Sequence, residues 1–202
     1  MSTSNPDYAA LMAAARCPRD PATLALAGVV ALAPYRRAPY DASIAGLDNA
    51  ELAAMTARLF PTLSTPVQQA DGVKPSSSSL DEFDDLLALL LDHRSDHDEL
   101  SLWLAHAVAT AAMADNHLWQ DLGLPSRREL SLLMQAHFVS LKELNAGDMK
   151  WKKFLYRQLC ERAGLTICRS PSCGVCSDYG QCFGLEEAAI GYSSIGVSGL
   201  SA

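Results

Sequence analysis

Residues 98–114 read DELSLWLAHAVATAAMA, and this stretch decides the fold class. Leu100, Leu104, Ala107 and Ala111 recur at helical spacing and lay one apolar stripe along a long amphipathic helix. The same reading extends outward in both directions. Alanine and leucine dominate the chain and β-branched residues are sparse, which favours helices over strands. Upstream, a helix is predicted from Leu80 to His93. An earlier one is predicted from Asp48, where Asp48-Asn49-Ala50-Glu51 resembles a capping box, to Phe60-Pro61. The first is predicted from Pro21 to Ala33, with Asp20 as its cap and proline in its first turn. Pro34 and Pro39 break the chain after it. Downstream, DNHLWQDLGLP at 115–125 reads as a loop. Ser126-Arg127-Arg128-Glu129 is a capping box that opens a helix to Leu144. Asp148 is expected to cap a last helix that ends at Gly164, where a C′ glycine belongs. The predicted fold is all-α, a helical domain with an irregular four-cysteine metal-cluster loop at its C-terminal end.

The expected organisation has five segments. Residues 1–20 form a poorly ordered lead-in, 21–60 the N-terminal helices, and 61–79 a flexible linker marked by three prolines and a serine run. Residues 80–183 form the helical core with the cysteine loop, and 184–202 a mobile, glycine- and serine-rich tail. The chain of 202 residues, 49% hydrophobic and 19% charged, is long enough to bury a sizeable core. Its net charge of −7 opposes a nucleic-acid surface. The longest apolar run, Leu24 to Ala33, is too short to span a bilayer. With Arg16 and Arg19 before it, it can also be read as a signal-peptide core. Asp20-Pro21 favours a buried helix instead, so a cytoplasmic protein with no membrane partner is expected.

Chemistry concentrates near the C-terminal end. Four of the six cysteines fall within 15 residues, as Cys168-x4-Cys173-x2-Cys176-x5-Cys182. In a reducing compartment such a group argues for metal rather than disulfides. The two-residue gap brings two thiolates onto one site through a tight turn, and the longer gaps reach the other corners. Thiolates suit iron, zinc and copper(I), and four of them meet the demand of a cuboidal iron–sulfur cluster. Structural zinc is the competing reading, although it usually pairs two short-gap knuckles and only Cys173-x2-Cys176 qualifies. Unligated thiols are the third. The preceding helix is basic, with Lys150, Lys152, Lys153, Arg157 and Arg162. Those charges can offset an anionic cluster, hold an oxyanion or meet an acidic partner. A plain solvated face explains them equally well.

Other residues are weighed against blander roles. Trp151, Phe154, Leu155 and Leu159 form a helical stripe, read as core packing. Trp119 and Leu122 anchor the 115–125 loop, and Asp121 is a cap or hydrogen-bond residue. His106 and His137 are read as partly buried structural residues. His93 and His97, with Asp92, Asp96 and Asp98, have metal-ligand spacing on a continuous helix, but DHRSDHDE reads better as a solvated connector. Cys160 is read as a structural thiol, with cluster loading as the sharper alternative, and Cys17 as unrelated.

Three segments in order resemble one family. The cysteine loop, HLWQDLGL at His117 to Leu124, and MKWKKFLYRQLCE at Met149 to Glu161 are similar to those of NifQ nitrogen-fixation proteins. The resemblance covers residues 117–183, and residues 1–80 carry no matching motif. It implies a carrier of a molybdenum–iron–sulfur cluster, not a turnover enzyme. Such a carrier would donate molybdenum for the iron–molybdenum cofactor of nitrogenase. Its partners would be a molybdenum source and, transiently, the cofactor assembly proteins. The resemblance implies Cys168, Cys173, Cys176 and Cys182 as cluster ligands. It also raises the standing of His117, which can bind molybdenum through nitrogen or hydrogen-bond an oxo group. His117, Lys150, Lys152, Lys153 and Arg157 are therefore the expected cofactor-binding set. Cys182, beyond the longest gap and beside the tail, is expected to be the weaker ligand. A monomer is expected, because transfer needs an accessible site. Two other functions stay open: a zinc-stabilised interaction module, and a DNA-repair enzyme with a structural cluster. The second lacks a helix-hairpin-helix glycine turn.

Overall fold

In the computed structural model the described residues are 6–38, 40–69, 80–165, 173, 176–177 and 179–186. They contain ten α-helices and no strand. These are α1 (Tyr8–Ala14), α2 (Pro21–Leu32), α3 (Asn49–Leu59), α4 (Leu80–Asp92) and α5 (Glu99–Ala112). Then come α6 (Leu118–Asp121), α7 (Arg127–His137), α8 (Val139–Leu144), α9 (Trp151–Arg162) and α10 (Tyr179–Phe183).

α2 is the central element. Asp20 caps it by accepting from the Thr23 amide at 3.0 Å. Ala22 to Val30 are all buried, so this helix is covered on every side. α5, α1, α7 and α6 pack around it. α5 is capped by Asp98, which accepts from the Ser101 amide at 2.8 Å, and it buries Trp103, Leu104, Ala107 and Ala111. α4 lies on α5 and α9 on α4. One hydrophobic core runs from Leu11 to Leu155 and joins the N-terminal helices to the later ones.

Several elements depart from the sequence reading. The lead-in contains α1, capped by Asp7 and seated in the core through Leu11. The 61–69 half of the expected linker is docked: Val67 is buried, and the Gln69 side-chain Nε2 donates to Ile44 O at 2.5 Å and Leu47 O at 2.9 Å. Residues 70–79 lie outside the described residues, as do 1–5, Pro39 and 187–202. The helix expected to run to Leu144 breaks at Phe138. There the Ser95 amide bonds His137 O at 2.9 Å, and Ser95 Oγ accepts from the Val139 amide at 3.1 Å. Asp148 does not cap α9. It takes a left-handed turn (φ 54°), and Lys150 occupies the cap position. Gly164 does end α9 as read, in a Schellman turn: Leu165 N bonds Cys160 O at 2.8 Å and Gly164 N bonds Glu161 O at 3.1 Å.

The 115–125 loop carries α6, and backbone contact fixes its position. A Cβ at Gly28 would stand 2.2 Å from Leu122 O, and Gly123 turns with φ +65° against the same glycine. Leu118, Leu122 and Leu124 fill the core behind it, with Trp119 packed beside them.

Candidate metal centre and the adjoining basic cleft

α9 sets the floor of the site. Trp151, Phe154 and Leu155 are buried, with the two rings edge-to-face at 5.6 Å, and Leu159 is partly buried. This is the stripe read from the sequence, and it places the first turn of α9 rigidly. The Lys150 amide, just before that turn, donates to Cys182 O at 2.8 Å. Cys182 rides on the single turn of α10 and packs against the core, while Phe183 stacks on Tyr179 at 4.6 Å. Upstream, the Cys176 amide bonds Cys173 O at 3.3 Å and the Tyr179 amide bonds Cys176 O at 3.2 Å. These two bonds link Cys173 to Cys176 and Cys176 to the first residue of α10. Cys173, Cys176 and Cys182 are free, half-buried thiols. Cys168 lies outside the described residues. The donors fit a soft-metal centre chemically, being partly shielded thiols with a guanidinium nearby. That guanidinium is Arg157. It pairs with Glu161 at 2.7 Å, and its pKa is raised first by that bond and further by Cys173.

A second feature opens beside this arm. A cleft of about 420 Å³ is lined by Asp115, His117, Lys150, Lys152, Lys153, Gln181 and Glu186, among others. Three chain segments build it: α6 with its approach, the start of α9, and the residues around Cys182. Four of the five cofactor-binding residues expected from the sequence meet here. The fifth, Arg157, lies on the Cys173 side instead. Their tasks differ. The Lys152 ammonium is held by Asp121 at 2.6 Å and by Ala114 O at 2.6 Å. Burial lowers its pKa, and the Asp121 charge pulls it back up. Asp121, a hydrogen-bond residue as read, also accepts from the Asn116 amide at 2.9 Å and side chain at 3.0 Å. His117 opens α6, with Gln120 Oε1 accepting from its amide at 3.1 Å.

Sequence reasoning passed over Arg127, Gln181 and Glu186. The Glu186 carboxylate is buried, 2.6 Å from Arg127 and 3.8 Å from the His117 ring. Arg127 also holds Asp148 O at 2.8 Å. Residues 184–186, assigned to the tail, are therefore clamped to α7, and the premise that Cys182 borders a loose segment does not hold for them. An acidic residue four places beyond the last cysteine was the available signal. Elsewhere, His93 Nδ1 lies 2.8 Å from Ser140 Oγ, and His97 is exposed in the connector. Among the described residues no group of three or more histidines, cysteines and carboxylates forms a metal site.

Comparison with known proteins gives a consistent picture. The NifQ family model matches residues 25–184. Protein NifQ of Azotobacter vinelandii is 40% identical over 151 residues, covering 70% of this chain and 77% of that protein. Protein NifQ of Rhodobacter capsulatus is 40% identical over 139 residues, covering 68% and 74%. A NifQ homolog of Sinorhizobium fredii is 39% identical over 142 residues, covering 70% and 61%. No solved structure matches.

Proposed function

The chain belongs to the NifQ family, and from that premise we propose that it is a metallocluster carrier in nitrogen fixation. In this reading Cys168, Cys173, Cys176 and Cys182 hold a molybdenum–iron–sulfur cluster, and molybdenum passes from it to the machinery that assembles the iron–molybdenum cofactor of nitrogenase. The chain is a carrier and not a turnover enzyme. The observation that supports this most is the hydrogen bond from the Lys150 amide to Cys182 O, which ties the cysteine arm to the start of a rigidly docked helix.

The protein's own residues have distinct tasks here. In this reading Cys173 and Cys176 supply two thiolates, and Cys182 on α10 supplies a third. A thiolate-ligated cluster supplies soft sulfur coordination for molybdenum and iron. Arg157 lowers the cost of gathering anionic sulfur beside Cys173. Arg127 and Glu186 hold the far end of the arm. The half-buried cysteines leave the centre open to a receiving protein.

The test is the metal and sulfide content of protein purified anaerobically from cells grown with molybdate. Iron, acid-labile sulfide and molybdenum are expected together, and Cys173→Ser is expected to lose them. Zinc alone, with no sulfide after anaerobic reconstitution, would replace this reading with a zinc-stabilised module.

A further inference from the structure

The cleft beside the cysteine arm has charges that ligation by thiolates does not use. Each carboxylate that lines it has its own cation. Glu186 is paired with Arg127 at 2.6 Å, and Asp115 with Arg37 at 3.3 Å. Lys152 is in turn matched by Asp121 at 2.6 Å. Lys150 and Lys153 remain, and among the described residues neither has a carboxylate in ion-pair contact. Among the described residues the Lys150 ammonium reaches Gly180 O, at 3.4 Å. The cleft is thus locally positive on a chain whose net charge is −7. His117, whose ring Nδ1 lies 3.8 Å from Glu186, and Gln181 also line it. The first turn of α9, a 12-residue helix, adds the positive end of its dipole.

These donors are hard nitrogen groups that suit oxo acceptors, and the uncompensated charge repels a metal cation. The concavity, about 420 Å³, has room for a small ion with part of its hydration, where one water takes up about 30 Å³. Gln181, which lines it, is the chain neighbour of Cys182 in the arm. We propose that this cleft binds a tetrahedral oxyanion of the molybdate type, held by Lys150, Lys153 and His117 beside the thiolate centre. The choice of molybdate over sulfate or phosphate rests on the carrier reading above; the anion site itself rests on the geometry. Lys152 and Asp121 are positioning residues, because their pair fixes the 114–121 segment that delivers His117.

The experiment is equilibrium dialysis of labelled molybdate against the full-length, metal-free chain at low ionic strength. It is run with all four loop cysteines intact and with all four replaced by serine. Saturable binding is expected in both. Lys150→Ala with Lys153→Ala should weaken it by about tenfold or more, while Lys142→Ala on α8 should not change it. Lys153 is exposed, so Lys153→Gln alone tests the site without disturbing the fold, and it should give a smaller loss of the same sign. Tungstate should compete better than sulfate or phosphate. Absent binding, binding that survives the double lysine change, or binding lost with the cysteines would overturn the proposal. Competition led by sulfate or phosphate would overturn the molybdate assignment. Iron and sulfide content of the unaltered protein reports the cluster separately. A cluster without anion binding sinks the cleft alone, and anion binding without a cluster sinks the carrier reading alone.

Discussion

The Lys152–Asp121 pair shows why a lysine run cannot be read as one surface. Lys150, Lys152 and Lys153 look equivalent in sequence, yet only Lys152 is held, by a carboxylate 31 positions away at 2.6 Å. Side-chain exposure is 17% for Lys152 and 4% for Asp121, so most of the water that would screen the pair is gone. The Lys152→Met variant keeps the aliphatic stem but leaves the carboxylate with Asn116 as its remaining side-chain partner. It should cost roughly 3–5 kcal/mol of stability, the usual penalty for an orphaned buried charge. Combining it with Asp121→Leu should cost less than the two single changes added. Urea denaturation of the four chains gives the cycle. A cost under about 1 kcal/mol for Lys152→Met would mean that water reaches Asp121 after all.

Local signals carried most of the element assignments. The Asp48–Glu51 box is present in both halves, with the Glu51 amide bonding Asp48 at 2.8 Å and the Asp48 amide bonding Glu51 at 2.8 Å. Gly164 ends α9 as its position implies. Both signals act within one or two turns, so the sequence displays them whole. The break at Phe138 depends instead on Ser95, more than forty residues away, and nothing near Phe138 announces it. Asp148 misleads for another reason, since aspartate both caps helices and tolerates a left-handed turn. α6 was hidden because four residues give too little periodicity to register, and packing against α2 makes up the difference. That packing is testable at Gly28. Its added Cβ would meet Leu122 O at 2.2 Å, so α2 and α6 must part. Gly28→Ala should cost roughly 1–3 kcal/mol by overpacking and should weaken oxyanion binding as His117 shifts. Gly180→Ala is the contrast, because nothing lies within 4 Å of a Cβ there. Equal effects at the two glycines, read by thermal unfolding and molybdate dialysis, would show that the α2–α6 contact does not position the site.

At the scale of the molecule, composition divided what packing unites. Three prolines and a serine run mark 61–79 as a boundary, but only the fold reveals Gln69 bonded to the 44–47 turn and one core from Leu11 to Leu155. A shared core makes stability a property of the whole chain, and three histidines distributed over it give that stability a pH dependence. Burial is the first cause lowering the pKa of each. Arg162 adds to the effect at His93 and Asp92 opposes it. The Ala45 carbonyl and Glu51 oppose it at His106, where Arg94 adds to it. Asp20, Asp98 and Asp96 oppose it at His137. A histidine whose folded pKa is depressed takes its proton more readily in the unfolded chain. Stability is therefore complete above the unfolded value of about 6.5 and declines as pH falls through it toward the folded values. Asp98 acts in a different window. Its pKa is lowered, first by the Ser101 amide, so its contribution persists above the unfolded carboxylate value of about 3.9 and is lost only below it. Between pH 7.5 and 5.5 these three histidines should move the urea midpoint down. Metal-free protein removes any contribution from acid release of a cluster. His106→Gln, at the most buried of the three positions, should flatten the slope even where it lowers the midpoint at pH 7.5. A midpoint that is level or rising toward pH 5.5 would mean that these rings are hydrated in solution, and that the helices around α2 are less closely packed than the shared core requires.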